Sequence, residues 1–251
     1  MSIIAGSKTG DDRYATYIDA CSIPLPKRTR SYEPVANKRM IDTIKEAAES
    51  RLNMPMLDEK YILSHKDQVM LGMLRFVTER PELPLTVLFR NSYGKQASAA
   101  IASGPSAKAC SNLEIFDGDI CKVRRHTPNV WKDFLKHVET VMASAKSRYD
   151  SNLVQIDTWK DHEISGPRGG ELLGLARYEN ILTKTMFNVA MDHWKEPPED
   201  FKGENNLWGL YNAGTWAIGQ KANARELLNR SVKLSALTKS VQWHHPVAES
   251  K

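Results

Sequence analysis

Residues 85–147 constrain the fold most strongly, because strand patterns in this stretch lead directly into a long amphipathic helix. Residues 85–90 alternate and are rich in branched and aromatic side chains, which is typical of a β-strand. Asp117-Gly118 favours a two-residue hairpin turn. Thr127 is suited to cap a helix that opens at Pro128, and an apolar stripe follows. We assign to the core the stripe residues Val130, Trp131, Phe134, Leu135, Val138, Val141, Met142 and Ala145.

Further elements are predicted on both sides of this stretch. Helical periodicity runs over residues 37–52, and strands are predicted at 57–63 and 69–78 with a turn at 64–67 between them. Ser64-x-x-Asp67 also resembles a helix cap, but the residue types of 69–78 favour a strand. We interpret the Gly-Pro-Arg-Gly-Gly sequence at 166–170 as a break between helices. The last third is then predicted to form three helices, at 179–194, 207–218 and 224–237.

These elements predict the α+β class. The expected fold is an antiparallel β-meander of five or six strands over about 57–125, with one helix before it and four after it. The four comprise the long following helix and a helical C-terminal third. We divide the chain into an N-terminal arm at 1–30, an α+β core at 31–150, a helical region at 151–243 packed on that core in the same domain, and a tail at 244–251.

The composition points to a folded protein without a membrane span. The hydrophobic fraction of 41% is ordinary for a globular protein. No apolar run approaches the roughly 18–20 residues that cross a bilayer, and the N-terminus lacks the layout of a signal peptide. We therefore expect no membrane partner and a place in the host-cell cytoplasm. The net charge is +5, and residues 120–148 hold seven Lys or Arg against two acids, which permits an anionic partner.

Cysteine and histidine give little indication of catalysis. The three cysteines lie at 21, 110 and 121. A hairpin at Asp117-Gly118 would place Cys110 and Cys121 out of register, which favours reduced thiols. The sequence contains no Cys-x-x-Cys spacing, so a structural zinc site is not expected. Cys110 or Cys121 with His126 remains a candidate catalytic pair. Asp161-His162-Glu163 with Asp192-His193 is a poor metal set, because adjacent helical residues point in different directions. We predict no catalytic residues, no metal and no cofactor.

Five short motifs, in order along residues 31–238, resemble a known family. They are Ser31-Tyr32-Glu33-Pro34-Val35-Ala36-Asn37, Asn91-Ser92-Tyr93-Gly94-Lys95, Cys110-Ser111-Asn112-Leu113, Arg124-Arg125-His126-Thr127 and Leu207-Trp208-Gly209-Leu210-Tyr211-Asn212-Ala213. The chain resembles the phage/plasmid-like family, a domain of unknown function found in phages, prophages and plasmids. The resemblance implies a mobile genetic element and its DNA metabolism. A strand meander followed by a long helix is also similar in architecture to the core of phage single-strand annealing proteins.

A basic cluster where the predicted sheet meets the helix is the preferred binding site. Its residues are Lys122, Arg124, Arg125 and His126, with Lys132 and Lys136 on the polar side of the helix. A polar turn adds Arg90, Asn91, Tyr93 and Lys95, and Tyr32, Tyr93 and Tyr149 are candidates for base stacking. A charged, solvated sheet edge and a turn shaped by conformation alone are the competing interpretations. The run at 27–30 is interpreted as a linker in preference to a backbone-binding arm.

The leading hypothesis is a phage or plasmid protein that binds single-stranded nucleic acid, with DNA favoured, as an annealing or protective factor in recombination or replication. Such binding should weaken steeply with salt, and homo-oligomers are one expected form. A second hypothesis is a factor that inhibits a host or defence protein, which would expose an apolar patch between Trp194 and Trp216. A third is an enzyme with a Cys or His centre in a closed pocket.

Overall fold

The computed structural model of the chain confirms the α+β class. It describes residues 13–94, 97–107, 112–113, 120–122, 126–198, 201–222 and 226–244. The strands are β1 (Arg13–Ala15), β2 (Met56–Ser64), β3 (Val69–Phe76), β4 (Leu85–Ser92), β5 (Ala100–Ala107), β6 (Asn112–Leu113) and β7 (Ile120–Lys122). The helices are α1 (Tyr17–Ser22), α2 (Asn37–Leu52), α3 (Val130–Asp161), α4 (Gly166–Tyr178), α5 (Lys184–Lys195), α6 (Leu207–Lys221) and α7 (Leu227–His244).

The chain falls into two compact units. The sheet unit comprises the described residues of 8–106 and 118–149, and the helical unit comprises those of 107–117 and 150–251. Helix α3 contributes its residues up to Tyr149 to the sheet unit and its remaining residues to the helical unit. None of the described helices is both long enough and apolar enough to cross a membrane.

Strands β1 to β5 form an antiparallel meander as predicted, although β1 belongs to the segment that was predicted to be an arm and lies outside the predicted span of about 57–125. Each pairs with the next in chain order, and β7 pairs with β5. The predicted turn after β2 is present, and His65, Lys66 and Asp67 all have positive φ. The Arg13 guanidinium holds the Asp67 carboxylate with two hydrogen bonds, of 3.0 and 2.9 Å, which joins β1 to this turn.

Strands β3 and β4 are buried along their whole length. Gly72 of β3 lies opposite Phe89 of β4, and a Cβ atom at Gly72 would lie 2.2 Å from the Phe89 ring. The missing side chain therefore lets Phe89 lie across the sheet, where its ring meets that of Tyr61 edge-on at 6.4 Å. A glycine within a strand is favoured here by this close approach.

Helix α3 begins later and runs further than the sequence predicts. The Thr127–Asn129 segment forms a turn in which the Val130 amide donates to the Thr127 carbonyl at 2.8 Å, so the helix begins at Val130. The predicted stripe is buried at Val130, Phe134 and Val138, but Trp131 is only partly buried and Leu135 is exposed. Those two predicted core residues therefore lie at the edge of the stripe.

The helical unit corrects two sequence predictions. The 166–170 segment is the first turn of α4 and not a break, because Ser165 caps the helix and Pro167 fits its first turn. Helix α5 begins at Lys184, capped by Thr183, and not at Glu179. The described residues therefore contain five helices after the sheet's first five strands, where four were predicted, and two before β2, where one was predicted.

Helix α1 falls within the predicted N-terminal arm. Thr16 and Asp19 form a reciprocal capping box that begins this helix. Residues 1–12 of the predicted arm lie outside the described residues. The predicted division into arm, core, helical region and tail stays a prediction.

Helix α6 is buried on nearly all sides and carries the last of the five motifs. Asn206 caps it, with its side-chain oxygen accepting from the Gly209 amide at 2.8 Å. A Cβ atom at Gly209 would lie 2.1 Å from the carbonyl oxygen of Glu204, so the glycine allows the helix to pass this backbone closely. The Asn212 amide donates to the Trp208 carbonyl at 2.9 Å. Packing within the helical unit therefore accounts for these motif residues.

Candidate nucleic-acid interface

Asn91, at the end of β4, is the centre of a buried polar network. Its side chain is 0% exposed. The amide nitrogen Nδ2 donates to the Val35 carbonyl at 2.8 Å and to Oδ1 of Asn37 at 2.7 Å. The amide oxygen accepts from the Ser92 backbone at 3.0 Å. Both donors and the acceptor of this amide are thus used inside the protein, which is the usual condition for a buried polar group.

Two tyrosines extend the network from β4 to the start of α2. The Tyr93 hydroxyl accepts from the Asn37 backbone amide at 2.9 Å, which supplies a partner where Ala36 offers no capping side chain. The Tyr32 hydroxyl donates to the Tyr93 carbonyl at 2.8 Å. Burial raises the pKa of both phenols above the ordinary value. Both rings are therefore held as neutral, hydrogen-bonded parts of the interior.

His126 joins the same network through its ring and its backbone. The imidazole meets the Tyr32 ring edge-on at 5.7 Å, and the His126 carbonyl accepts from the Glu33 amide at 3.0 Å. Burial lowers the pKa of this imidazole. Among the described residues neither ring nitrogen has a hydrogen-bond partner. We call Tyr32, Asn37, Asn91, Tyr93 and His126 the anchor network.

Burial separates the predicted contact residues into two groups. Four of them are inside: Arg90, Asn91, Tyr93 and His126 are 6%, 0%, 5% and 3% exposed. The Arg90 guanidinium Nε donates to the Ser98 carbonyl at 3.2 Å, so this arginine also contributes to the interior. A contact from any of these four side chains to an external ligand would first require the interior to open. The sequence pattern could not distinguish these polar core residues from a polar surface turn.

Lys132 and Lys136 are the predicted residues that the structure leaves at the surface. Both are exposed on α3, and their spacing of four residues places them on one face of the helix. For Lys122 the backbone is described, and it pairs with Ala100. The predicted contacts Lys95, Arg124 and Arg125 lie outside the described residues.

A basic turn that the sequence interpretation set aside lies next to this region. Thr29 and Tyr32 exchange backbone hydrogen bonds of 2.9 and 3.3 Å, so Arg30 lies in a tight two-residue turn. Lys27, Arg28 and Arg30 are exposed, and Arg28 pairs with Glu33 at 3.1 Å. Because the Glu33 amide is bonded to the His126 carbonyl, this turn is held close to the predicted basic junction. The run of charges at 27–30 was visible in the sequence, but the contact between Glu33 and His126, 93 residues further along the chain, was not.

A second contact brings the first turns of α2 and α3 together. The guanidinium carbon of Arg39 lies 4.1 Å from the centroid of the Trp131 ring, as in a cation–π contact. Helix α2 has no acidic residue in its first turn, although cations there oppose the helix dipole. Both cations have partners in the sheet unit, since Lys38 pairs with Asp42 one turn further along α2 and Arg39 packs on Trp131.

These contacts bring three cation-bearing segments of the sheet unit together, and we call their exposed cations the basic surface. It draws its exposed cations from three segments: Lys27, Arg28 and Arg30, then Arg39, and then Lys132 and Lys136. Over residues 27–39 and 126–136 there are seven Lys or Arg against two acids. A surface with this excess attracts anions, although Arg28 also pairs with Glu33 and Arg39 also covers Trp131.

In the part of the chain that the structure describes, the candidate catalytic and metal-binding groups are not assembled into a site. Within the described residues no group of three or more His, Cys, Asp or Glu side chains could hold a metal ion. His193, part of the metal set that the sequence analysis judged poor, lies among aromatic rings, 5.6 Å from Trp216, and burial lowers its pKa. The Cys21 thiol is free, and burial raises its pKa, which opposes nucleophilic reactivity. The side chains of Cys110 and Cys121 lie outside the described residues.

Comparison of the chain with models of protein families, with curated proteins and with solved structures finds no match. The resemblance to the phage/plasmid-like family therefore stays a prediction from the five motifs.

Proposed function

We propose that this chain is a phage- or plasmid-encoded protein that binds single-stranded nucleic acid, with DNA favoured, during recombination or replication. The supporting observation is the basic surface, in which cations from three separate segments share one unit of the fold. Two contacts hold the segments together, from Glu33 to His126 and from Arg39 to Trp131. Lys122, Arg124, Arg125 and Lys95 remain predicted contacts of the same ligand.

The number of exposed cations gives the expected salt dependence. Each phosphate neutralised on a single strand contributes about 0.7 to the slope of log K against log salt. The six cations of the basic surface, if each meets a phosphate, give a slope of about −4. The affinity should then fall about 300-fold between about 50 and 200 mM salt.

A protein-interaction role is less well supported by the described residues. That hypothesis requires an exposed apolar patch between Trp194 and Trp216. Trp194 and Trp208 are buried, at 7% and 3% exposed, and Trp216 is partly buried against His193. Inhibition of a host or defence protein is therefore kept as the alternative function. Homo-oligomers and the host cytoplasm remain predictions.

A salt series with matched variants tests the proposal. The ligand is a fluorescent oligo-dT of about 20 nucleotides, long enough for one site, and binding is followed by anisotropy. Lys132→Ala/Lys136→Ala should reduce the slope by about 1.4 and weaken binding about 25-fold at about 0.1 M salt. Lys184→Ala/Lys195→Ala removes the same charge from exposed positions of α5 and is the control. Absence of wild-type binding at the lowest salt, or equal losses in both variants, would refute the proposal.

A further inference from the structure

The three tyrosine rings that were candidates for base stacking are buried in the protein interior. Tyr32 and Tyr93 belong to the anchor network, and each is bonded through its hydroxyl. Tyr149 is 5% exposed, and its hydroxyl donates to the Leu83 carbonyl at 2.6 Å. Turning any of these rings outward would break a buried hydrogen bond and expose apolar area. That loss is of the same order as the gain from one base stack, so stacking is not favoured.

Trp131 is a partly exposed aromatic ring at the basic surface, and it also has partners within the protein. The Arg39 guanidinium covers the ring at 4.1 Å, and the ring stacks on Phe134 with centroids 5.8 Å apart. A base could reach this ring only by displacing a cation–π contact. The cations Lys132 and Lys136, on the same turns of α3, remain exposed. Among the described residues of the basic surface, Lys132 and Lys136 are therefore open to a ligand, whereas the Trp131 ring is already in contact with Arg39 and Phe134.

We infer that the basic surface recognises the phosphodiester backbone alone and leaves the bases of the bound strand free. This inference rests on the proposed function and specifies its ligand as a linear phosphodiester chain, whatever its bases. A strand held only by its phosphates keeps its base-pairing edges exposed. It can then pair with a complementary strand while still bound, which favours annealing over protection.

An abasic strand tests the inference directly. Anisotropy titrations compare oligo-dT of about 20 nucleotides with a fluorescent tetrahydrofuran-phosphate chain of the same length, using the same wild-type protein. Backbone recognition predicts dissociation constants that agree within about threefold, with equal salt slopes. For each base of oligo-dT that stacks on the protein, the abasic chain should bind about fivefold more weakly or worse than oligo-dT.

The possible results separate the inference from the function on which it rests. If oligo-dT binds and the abasic chain is weaker by more than about threefold, the inference is overturned and nucleic-acid binding stands. If neither ligand binds at low salt, the proposed function fails and the inference with it. Equal binding, lost in parallel for both ligands in Lys132→Ala/Lys136→Ala, supports both.

Discussion

Replacing Asn91 by aspartate changes one amide group to a carboxyl group of the same shape inside the sheet unit. The change removes both side-chain donors and turns an oxygen towards the Val35 carbonyl and Oδ1 of Asn37. Two hydrogen bonds contribute about 1–3 kcal/mol, and leaving the two acceptors unsatisfied adds a penalty of similar size. We expect Asn91→Asp to lower the free energy of unfolding by about 3–5 kcal/mol at neutral pH.

Urea denaturation followed by far-ultraviolet circular dichroism measures this loss. Asn188→Asp makes the same chemical change at an exposed position of α5 and should stay within about 0.5 kcal/mol of the wild type. Burial and the two acceptor oxygens of Val35 and Asn37 that face it should raise the pKa of the new carboxyl at position 91. Its penalty should therefore be largest at high pH and decrease as the pH falls and the group is protonated. A loss below about 1 kcal/mol at neutral pH would refute the assignment of Asn91 as a network centre.

Two further predictions concern packing and pH. Gly72→Ala should destabilise the protein by about 1–3 kcal/mol, because its Cβ would enter the Phe89 ring. Gly174→Ala on α4, where the space is open, is the control and should be neutral or stabilising. Equal thermal stability of the two variants would contradict this account. Because burial lowers the pKa of His126 and His193, the unfolded state takes up protons more readily below about pH 6.5, so stability should fall as the pH decreases. The His126→Phe/His193→Phe variant should show a flatter profile in urea denaturation from neutral to mildly acidic pH, and an unchanged slope would contradict the burial assignment.

The fold was predictable where a pattern reflects burial of the segment that carries it. Helix α2 follows from its periodicity and strands β2 to β4 from their residue types and bounding turns, and all four lie close to the predicted positions. The start of α4 did not follow, because Gly169 is explained by a distant residue. A Cβ atom there would lie 2.3 Å from the Trp194 indole, so the glycine indicates packing and not a break. Helix α1 was predictable, since Thr16-x-x-Asp19 is a capping-box sequence.

The candidate site was only partly predictable, for a different physical reason. Lys132 and Lys136 follow from helical spacing, which places them opposite the buried stripe. Asn91 could not be classified in the same way, because its partners lie 54 and 56 residues earlier in the chain. A polar side chain at a strand end is equally compatible with a surface contact and with a buried hydrogen bond.

The anchor network stabilises the fold, and the basic surface carries the proposed binding. The network fixes residues 32–37 against β4 and His126, and thereby positions the basic turn before them and Arg39 after them relative to α3. The motif residues of the network are thus explained by the hydrogen bonds and ring contacts of the interior, whereas most cations of the proposed binding surface lie outside the five motifs. Variants of the two groups should therefore affect different properties, one the stability and the other the salt dependence of binding. Lys132→Ala/Lys136→Ala should alter the salt slope at unchanged stability, and Asn91→Asp should alter stability while the folded fraction keeps the wild-type salt slope.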